Sequence, residues 1–366
     1  MTPSDADHAR RAPHPASRSP ASAEQALQLL EQADAALARQ EWSVALALAT
    51  QALSPTLLDR QRAQALLMQA RAHWQMGALW QVYLPALEVG RLGRLCGNAR
   101  TEVDGLSLAA FALAELGLAD EARLISLDAL AAASDSAELL PRALSCAAHV
   151  HARLGDVSHA ELMHMRAISL AREAHDANLL ALAFINLLLS LGLASEELLH
   201  GPGEAAAQIA LVRAPRFLAQ ASGLLADERL PASTQAGLQL AAGHLALLCG
   251  RLDQAQPWLT AAHRRYCLQG TGYNRLAAEQ SLAESALRQG RPAEALGWLS
   301  ELLAPEPGRS SFSLRLPSLR TARACHRALG NAEIERTLAL ELDELLRARQ
   351  AMREQALGVL HRPELP

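Results

Sequence analysis

The chain has 366 residues and is half hydrophobic, yet aromatic residues make up only 3% of it. Alanine and leucine therefore form the core, and because both favour helices while β-formers are sparse, the composition excludes a β-rich fold. The formal net charge is −4, from 34 basic and 38 acidic residues. This near balance creates no field that attracts nucleic acid, so no nucleic-acid partner is expected.

Residues 1–22 are rich in proline, serine and arginine and hold no apolar stretch. This composition predicts a disordered leader and not a signal peptide. Nowhere does the sequence give the run of about 18 apolar residues that a membrane helix needs, so no membrane partner is expected.

The cysteines lie far apart and form no C-x-x-C pair, which argues against a disulfide framework or a structural zinc site. Reduced cysteines in Ala/Leu-rich helices suit a cytoplasmic location. The five are Cys96, Cys146, Cys249, Cys267 and Cys325.

One sequence pattern recurs along the chain. A Leu/Ala-rich helix ends at a turn residue, usually glycine, and a second helix has an alanine five residues after that turn residue. Successive turns are separated by 37, 40, 38, 37, 58, 40 and 40 residues. A glycine can close the first helix in a left-handed conformation without steric cost. The turn residues are Gln40, Gly77, Gly117, Gly155, Gly192, Gly250, Gly290 and Gly330.

Alanines also recur seven residues apart in the second helices. Seven residues is nearly two helical turns, so each pair lies on one face, where small side chains allow close packing against the next repeat. The pairs are Ala45 and Ala52, Ala122 and Ala129, Ala160 and Ala167, and Ala255 and Ala262.

At these residues the sequence resembles the tetratricopeptide repeat (TPR) family. The resemblance implies an all-α fold, a right-handed α-solenoid of about eight antiparallel helix pairs, whose first helices line a concave, peptide-receiving groove. The period is longer than the usual length of about 34 residues. In this it is similar to bacterial sensor or docking arrays found with diguanylate cyclases and maltose-regulator-type transcription factors. The GGDEF motif of the former does not occur, and no terminal DNA-binding helix pair of the latter is recognised.

The predicted domain organisation has three parts. The repeat array covers residues 23–330, and residues 331–366 form a long C-terminal capping helix and tail. The 58-residue spacing predicts an irregular insertion at about 193–230, because glycines and prolines interrupt it at three points. Two short helices are expected there, at about Ala205–Arg213 and Phe217–Ala226.

The last helix also carries an a/d-like apolar seam. Terminal repeats of solenoids need a cap, and this is the favoured interpretation. A homodimer through the C-terminal helix is the alternative. The seam consists of Leu338, Leu342, Leu345, Met352, Ala356 and Val359.

No catalytic or nucleotide-binding motif is recognised, so neither enzymatic activity nor a cofactor is expected. A histidine cluster in the fourth repeat is the nearest candidate for a metal site. Metal ligands on one helix usually lie three or four residues apart, whereas these histidines are spaced by two and by five, so packing is favoured and no metal is expected. The cluster is His149, His151, His159, His164 and His175.

Counting back from each turn places a set of polar and aromatic residues on the predicted groove. Aromatic and arginine side chains often dominate interface energies, an asparagine can pair with a peptide backbone, and arginines can hold a carboxylate bidentately. A peptide of acidic or C-terminal carboxylate character is therefore expected. The candidate peptide-binding residues are Arg71, Trp74, Phe111, Arg142, His149, Arg153 and Asn186.

The sequence thus predicts a scaffold or adaptor that binds a protein or peptide partner in its groove. The alternative is a sensory or regulatory module that controls a signalling partner, such as a diguanylate cyclase or a transcription regulator. An enzyme with unrecognised chemistry ranks third.

Overall fold

The computed structural model describes residues 23–39, 41–53, 57–76, 78–199, 204–269, 272–304 and 312–360. These residues form sixteen α-helices and no strand, which confirms the predicted all-α solenoid of eight helix pairs. The helices are α1 (Ala23–Ala38), α2 (Trp42–Ala52), α3 (Asp59–Gln75), α4 (Leu79–Leu95), α5 (Ala99–Glu115), α6 (Ala119–Ala133), α7 (Leu140–Arg153), α8 (Val157–Glu173), α9 (Ala177–Leu199), α10 (Glu204–Leu225), α11 (Ala232–Leu248), α12 (Leu252–Gln269), α13 (Gly272–Arg288), α14 (Pro292–Leu299), α15 (Phe312–Ala328) and α16 (Ala332–Leu360).

The first helices of successive pairs form one continuous layer. Each odd-numbered helix contacts the even-numbered helix that follows it and also the next odd-numbered helix, from α1 with α3 to α13 with α15. Among the described residues, no contact of similar extent joins successive even-numbered helices. In a curved solenoid, the elements that lie closer together from repeat to repeat are those on the concave side. The odd-numbered helices therefore form the inner layer, and the even-numbered helices form the outer layer.

Glycines close the first helix of most pairs, as predicted. Gly117, Gly155, Gly250, Gly290 and Gly330 all have φ between +72° and +79°, a region that side chains with a Cβ disfavour. After α5, the Leu118 N–H donates to the Leu113 carbonyl at 2.9 Å, which satisfies a carbonyl at the helix end. The predicted turn residues Gln40 and Gly77 lie outside the described residues.

The alanine pairs of the second helices are buried, as their spacing predicts. All eight residues are at most 3% exposed. Each pair lies on one face of α2, α6, α8 or α12, where a small side chain allows the second helix to approach its neighbours. Alanine is the commonest of the buried hydrophobic residues, and leucine is the next.

The fifth pair departs from the predicted organisation. Gly192 is not a turn residue but lies buried inside α9, where an added Cβ would be 3.1 Å from the His244 ring. The prediction of two short helices after Gly192 is wrong as well, because residues 204–225 form one helix, α10, that continues through Pro215. The most breaker-rich segment, Gly201–Gly203, lies outside the described residues.

The extra length of this region is therefore largely helical. Helices α9 and α10 have 23 and 22 residues, and both contribute to the largest core cluster through Phe184 and Phe217. A proline inside a helix removes one backbone donor, but burial of apolar neighbours can outweigh that loss. The 58-residue spacing reflects in large part a longer helix pair.

The last helix, α16, packs first on its own pair and then on a distant one. Leu338 packs against a core cluster and Leu342 is buried, while the assignment of α16 as a cap stays a prediction. Farther along, α16 contacts α4 of the second pair. The side chains of Met352, Ala356 and Val359 lie outside the described residues, and the homodimer stays a prediction. No helix in the described part of the chain has the length and apolar character that crossing a bilayer requires.

Candidate functional site

Six of the seven predicted groove residues lie on three neighbouring inner helices. Arg71 and Trp74 are on α3, Phe111 is on α5, and α7 carries the other three. Along α5 and α7, residues spaced by three or four share one face of a helix. Asp104 and Arg142, Phe111 and His149, and Glu115 and Arg153 are each separated by 38 residues, as are Gly117 and Gly155. Equivalent repeat positions therefore meet across the inner layer.

Three rings meet at the centre of this surface, and we call Trp74, Phe111 and His149 the ring cluster. The Trp74 and Phe111 centroids are 6.2 Å apart in an edge-to-face arrangement, and the Phe111 and His149 centroids are 4.9 Å apart. Trp74 and Phe111 pack against a buried hydrophobic cluster that includes Tyr83 and Leu113, and all three rings keep part of their surface exposed. Aromatic contacts of this kind hold the rings in fixed orientations.

An ion-pair group flanks the ring cluster on one side. Asp104, whose side chain is only 9% exposed, has an oxygen 2.7 Å from Arg142 Nη1 and another 3.6 Å from Arg71 Nη2. The two arginine side chains are 51% and 48% exposed. Two guanidinium groups against one carboxylate leave a net positive charge, and both remain accessible to a second anion.

A second ion-pair group, on the other side, is buried. His149 Nε2 lies 3.0 Å from Glu115 Oε1, and Arg153 Nε donates to the same oxygen at 3.1 Å. Burial acts to raise the pKa of the Glu115 carboxyl, but the positive charge of Arg153 and the contact with His149 outweigh it and hold that pKa below its usual range.

This second group corrects one expectation about Arg153. The sequence predicts it as a peptide-binding residue of the groove, but its side chain is only 8% exposed and pairs with Glu115. Removing one partner of a buried ion pair leaves the other charge uncompensated, so loss of the Arg153 side chain is expected to destabilise the folded chain. The expected positive character of the groove therefore comes from Arg71 and Arg142.

A residue of the last helix also contacts this surface. Arg349 of α16 donates from Nη2 to the backbone carbonyl of Glu115 at 3.0 Å. The last carbonyls of a helix have no partner within the helix, and a cation near them is favoured by the helix dipole. Sequence reasoning missed Arg349, and nothing in the local pattern marks it, because 234 residues separate the two partners.

Asn186, the seventh predicted residue, is placed apart from the others. It lies on α9 and is exposed, and none of the described contacts joins it to the ring cluster or to the two ion-pair groups. Its role in peptide binding stays a prediction.

A cysteine, a histidine and a glutamate also meet in the sixth and seventh pairs. Cys267 Sγ lies 3.5 Å from His263 Nε2, and Glu279 Oε1 lies 3.0 Å from the same nitrogen. A relay that activates a nucleophile uses the two different ring nitrogens, one for the nucleophile and one for the carboxylate. This arrangement is therefore not a catalytic relay.

Comparison with known proteins is informative about the fold. The structure is similar to the apo form of RapI, with a TM-score of 0.50 and 12% identity, over 81% of this chain and 98% of that one. A Rap protein complexed with Competence and Sporulation Factor gives a TM-score of 0.48 and 11% identity, over 90% of this chain and 99% of that one. Neither a comparison with family models nor one with curated proteins gives a match.

The likeness to RapI shows a helical-repeat fold of the TPR-like type. At such low identity it extends to the fold alone. The predicted similarity to the arrays of diguanylate cyclases and maltose-regulator-type regulators stays a prediction.

Proposed function

We propose that this protein is a binding scaffold or adaptor that holds a peptide or a segment of a partner protein against its inner helical layer. The ring cluster carries the proposal. Trp74, Phe111 and His149 come from three successive inner helices and offer partly exposed rings in fixed orientations. An elongated ligand that crosses α3, α5 and α7 can contact all three.

The chemistry of the cluster suits such a ligand. Aromatic side chains bury a large area and lose little conformational freedom when their rings are already held in place. Two accessible arginines lie beside the rings, and aromatic and arginine residues are enriched among those that dominate interface energies. An apolar ligand side chain would lie on the rings, and the adjacent backbone would meet polar groups.

The charges at the site favour an acidic group at one end of the ligand. Arg71 and Arg142 share one carboxylate and keep a net positive charge, whereas Glu115 neutralises Arg153. A guanidinium can hold a carboxylate through two parallel hydrogen bonds. The proposed ligand therefore carries an acidic side chain or a C-terminal carboxylate near α3 and the N-terminal half of α7.

The proposal is tested by selecting peptides from a random displayed library on the immobilised full chain and measuring their affinities by fluorescence anisotropy. Trp74→Ala and Phe111→Ala should each weaken binding by about 1 to 4 kcal/mol, because each removes a ring from the central contact. Arg142→Ala should weaken the binding of peptides that have an acidic side chain or a free C-terminus, and should not change the binding of C-terminally amidated peptides without acidic side chains.

Leu162→Ala is the matched control, since Leu162 is an exposed apolar residue on the outer helix α8. This variant should bind as the parent chain does. Thermal unfolding of every variant checks that the fold is retained. If folded Trp74→Ala and Phe111→Ala proteins keep the affinity of the parent chain, the site lies elsewhere.

A regulatory module that controls a signalling partner is the second candidate, and one observation favours it. The C-terminal helix reaches the end of α5 through Arg349, next to the Glu115 that pairs with His149 of the ring cluster. A ligand on the rings could thus alter the position of α16, and α16 could present that change to a partner. We place both candidates in the cytoplasm, in keeping with the five free cysteines.

A further inference from the structure

Two histidines and an aspartate converge at the turn between α7 and α8, and we call them the histidine–aspartate cluster. His151 lies in the last turn of α7, Asp156 immediately precedes α8, and His159 lies in the first turn of α8. Asp156 Oδ2 is 2.7 Å from His159 Nδ1 and 3.3 Å from His151 Nδ1. The two imidazole rings are stacked, with centroids 5.6 Å apart.

The three ligand atoms form a compact set. They all lie within 4.8 Å of one another. In a tetrahedral zinc site with zinc–nitrogen distances of about 2.0–2.1 Å, neighbouring ligand atoms are about 3.3 Å apart. Small side-chain rotations would therefore bring both Nδ1 atoms and Oδ2 around one ion.

The carboxylate is also held in the orientation that a ligand needs. Asp156 Oδ1 accepts a hydrogen bond from the backbone N–H of His159 at 3.3 Å, as an N-cap of α8. This bond leaves Oδ2 directed toward the two rings. Outer contacts that orient a metal ligand in this way commonly raise the affinity of a metal site.

The same turn in another repeat shows that the fold does not require this set. His326 occupies the position of His151 in the eighth pair, where Asn331 and Ile334 stand in place of Asp156 and His159. There the contact is between His326 and the Asn331 amide, at 3.3 Å. Within the described residues, only the fourth pair brings together three potential ligand atoms that all lie within 4.8 Å of one another.

We propose that His151, Asp156 and His159 form a binding site for a divalent transition-metal ion, with zinc as the best-fitting ion. Two imidazoles and one carboxylate suit zinc and similar ions, whereas magnesium and calcium prefer oxygen ligands alone. Three protein ligands leave a fourth position for water or for a group from another molecule. The metal would link the end of α7 to the start of α8, in the repeat that carries His149.

The spacings between the histidines alone do not indicate this site, because its third ligand is an aspartate and its ligands come from two helices. The informative spacing is five residues from His151 to Asp156 and three more to His159, across a glycine turn. A turn reverses the chain, so residues at such a spacing can face each other although they belong to different helices. The expectation of no metal rested on spacings within a single helix.

The test is isothermal titration calorimetry of the full chain, freed of metal with a chelator and titrated with zinc chloride. One equivalent of zinc should bind per chain. His159→Ala and Asp156→Asn should each lower the affinity at least tenfold, since removing even an outer-sphere partner commonly costs about 10- to 100-fold. Both variants should stay folded, because His159 is 63% exposed and asparagine is as good an N-cap as aspartate.

His326→Ala is the matched control and should bind zinc as the parent chain does. Magnesium chloride at the same concentration should give no binding. Cysteines are the competing ligands, so Cys267→Ser is measured as well, and cobalt is used as a spectroscopic substitute. The proposal would be overturned if zinc binding persisted in His159→Ala and Asp156→Asn. It would also be overturned if zinc binding disappeared in Cys267→Ser and the cobalt-loaded parent chain showed a thiolate–cobalt charge-transfer band.

Discussion

At the residue scale, burial decides how several titratable groups behave, and His164 is the clearest case. Its side chain is fully buried in α8, and its Nε2 lies 2.9 Å from the Ser190 hydroxyl. Burial, with a smaller contribution from the charge of His149, lowers the pKa of His164 to about 3. The ring therefore stays neutral in the folded protein at every pH at which the protein is expected to work.

This lowered pKa predicts a stability that depends on pH. Below the usual histidine pKa of about 6.5 the unfolded chain binds a proton at His164, whereas the folded chain does not until the pH approaches about 3. The contribution of His164 to the free energy of unfolding should thus fall as the pH drops, with a slope that rises from about 0.7 kcal/mol per pH unit at pH 6.5 to about 1.4 one to two units lower. Urea unfolding between pH 6.5 and 5 measures this slope, before most carboxylates titrate.

His164→Gln removes the titrating group and keeps an amide that can pair with Ser190, so its slope should be smaller. His175→Asn is the control, because His175 is exposed and has a positive φ that asparagine tolerates. Equal slopes in the parent chain and in His164→Gln would contradict the assignment.

At the element scale, the stack depends on helices whose backbones nearly touch. Helices α4 and α5 meet at three glycines, Gly90, Gly93 and Gly105. A Cβ on Gly105 would lie 2.4 Å from the Gly90 nitrogen and 2.7 Å from the Ala86 carbonyl oxygen, both of which are backbone atoms. These glycines are needed for close approach and not for an unusual backbone conformation.

Gly105→Ala should therefore destabilise the protein by at least about 2 kcal/mol, because neither helix can move without disturbing its other neighbours. Gly223→Ala is the matched control. It lies inside α10 with open space where the Cβ would be, so alanine should stabilise the helix by about 0.5–1 kcal/mol. Thermal or denaturant unfolding measures both effects, and changes of the same sign would contradict the close-approach explanation.

At the scale of the whole molecule, the first and last parts of the stack are connected. Helix α16 contacts α4, and Arg349 reaches the end of α5. Contacts in a solenoid otherwise join neighbouring repeats only. This long-range contact links the C-terminal helix to the surface that carries the ring cluster.

Arg349→Ala should loosen the distal half of α16. A hydrogen bond from a charged donor contributes about 1.5 kcal/mol, so amide hydrogen exchange in residues 346–360 should become about tenfold faster. Arg347→Ala is the matched control, because the Arg347 guanidinium donates to the Asp343 carbonyl within its own helix. Equal exchange in the two variants would show that the contact with α5 does not hold the helix.

The sequence by itself determined the features that depend on short-range periodicity. A spacing near 38 residues, turn glycines and alanines seven apart predict the helix pairs, and a spacing of three or four residues predicts which residues of α5 and α7 share a face. These are local properties of a helix and its turn, so no distant contact is needed to infer them. For that reason the inner-layer positions of Trp74, Phe111 and His149 could be predicted.

Only the tertiary structure decided which charges are neutralised and which distant elements meet. Glu115 pairs with the buried Arg153, which is therefore not accessible in the groove. Helix α9 continues through Gly192 and α10 continues through Pro215, where the sequence predicts breaks. Arg349 of the last helix contacts the end of α5. The histidine–aspartate cluster likewise depends on how two helices face each other across a turn. The physical reason is that burial and the path of the superhelix result from many small rotations between repeats. A local pattern of residues does not determine the combined effect of these rotations.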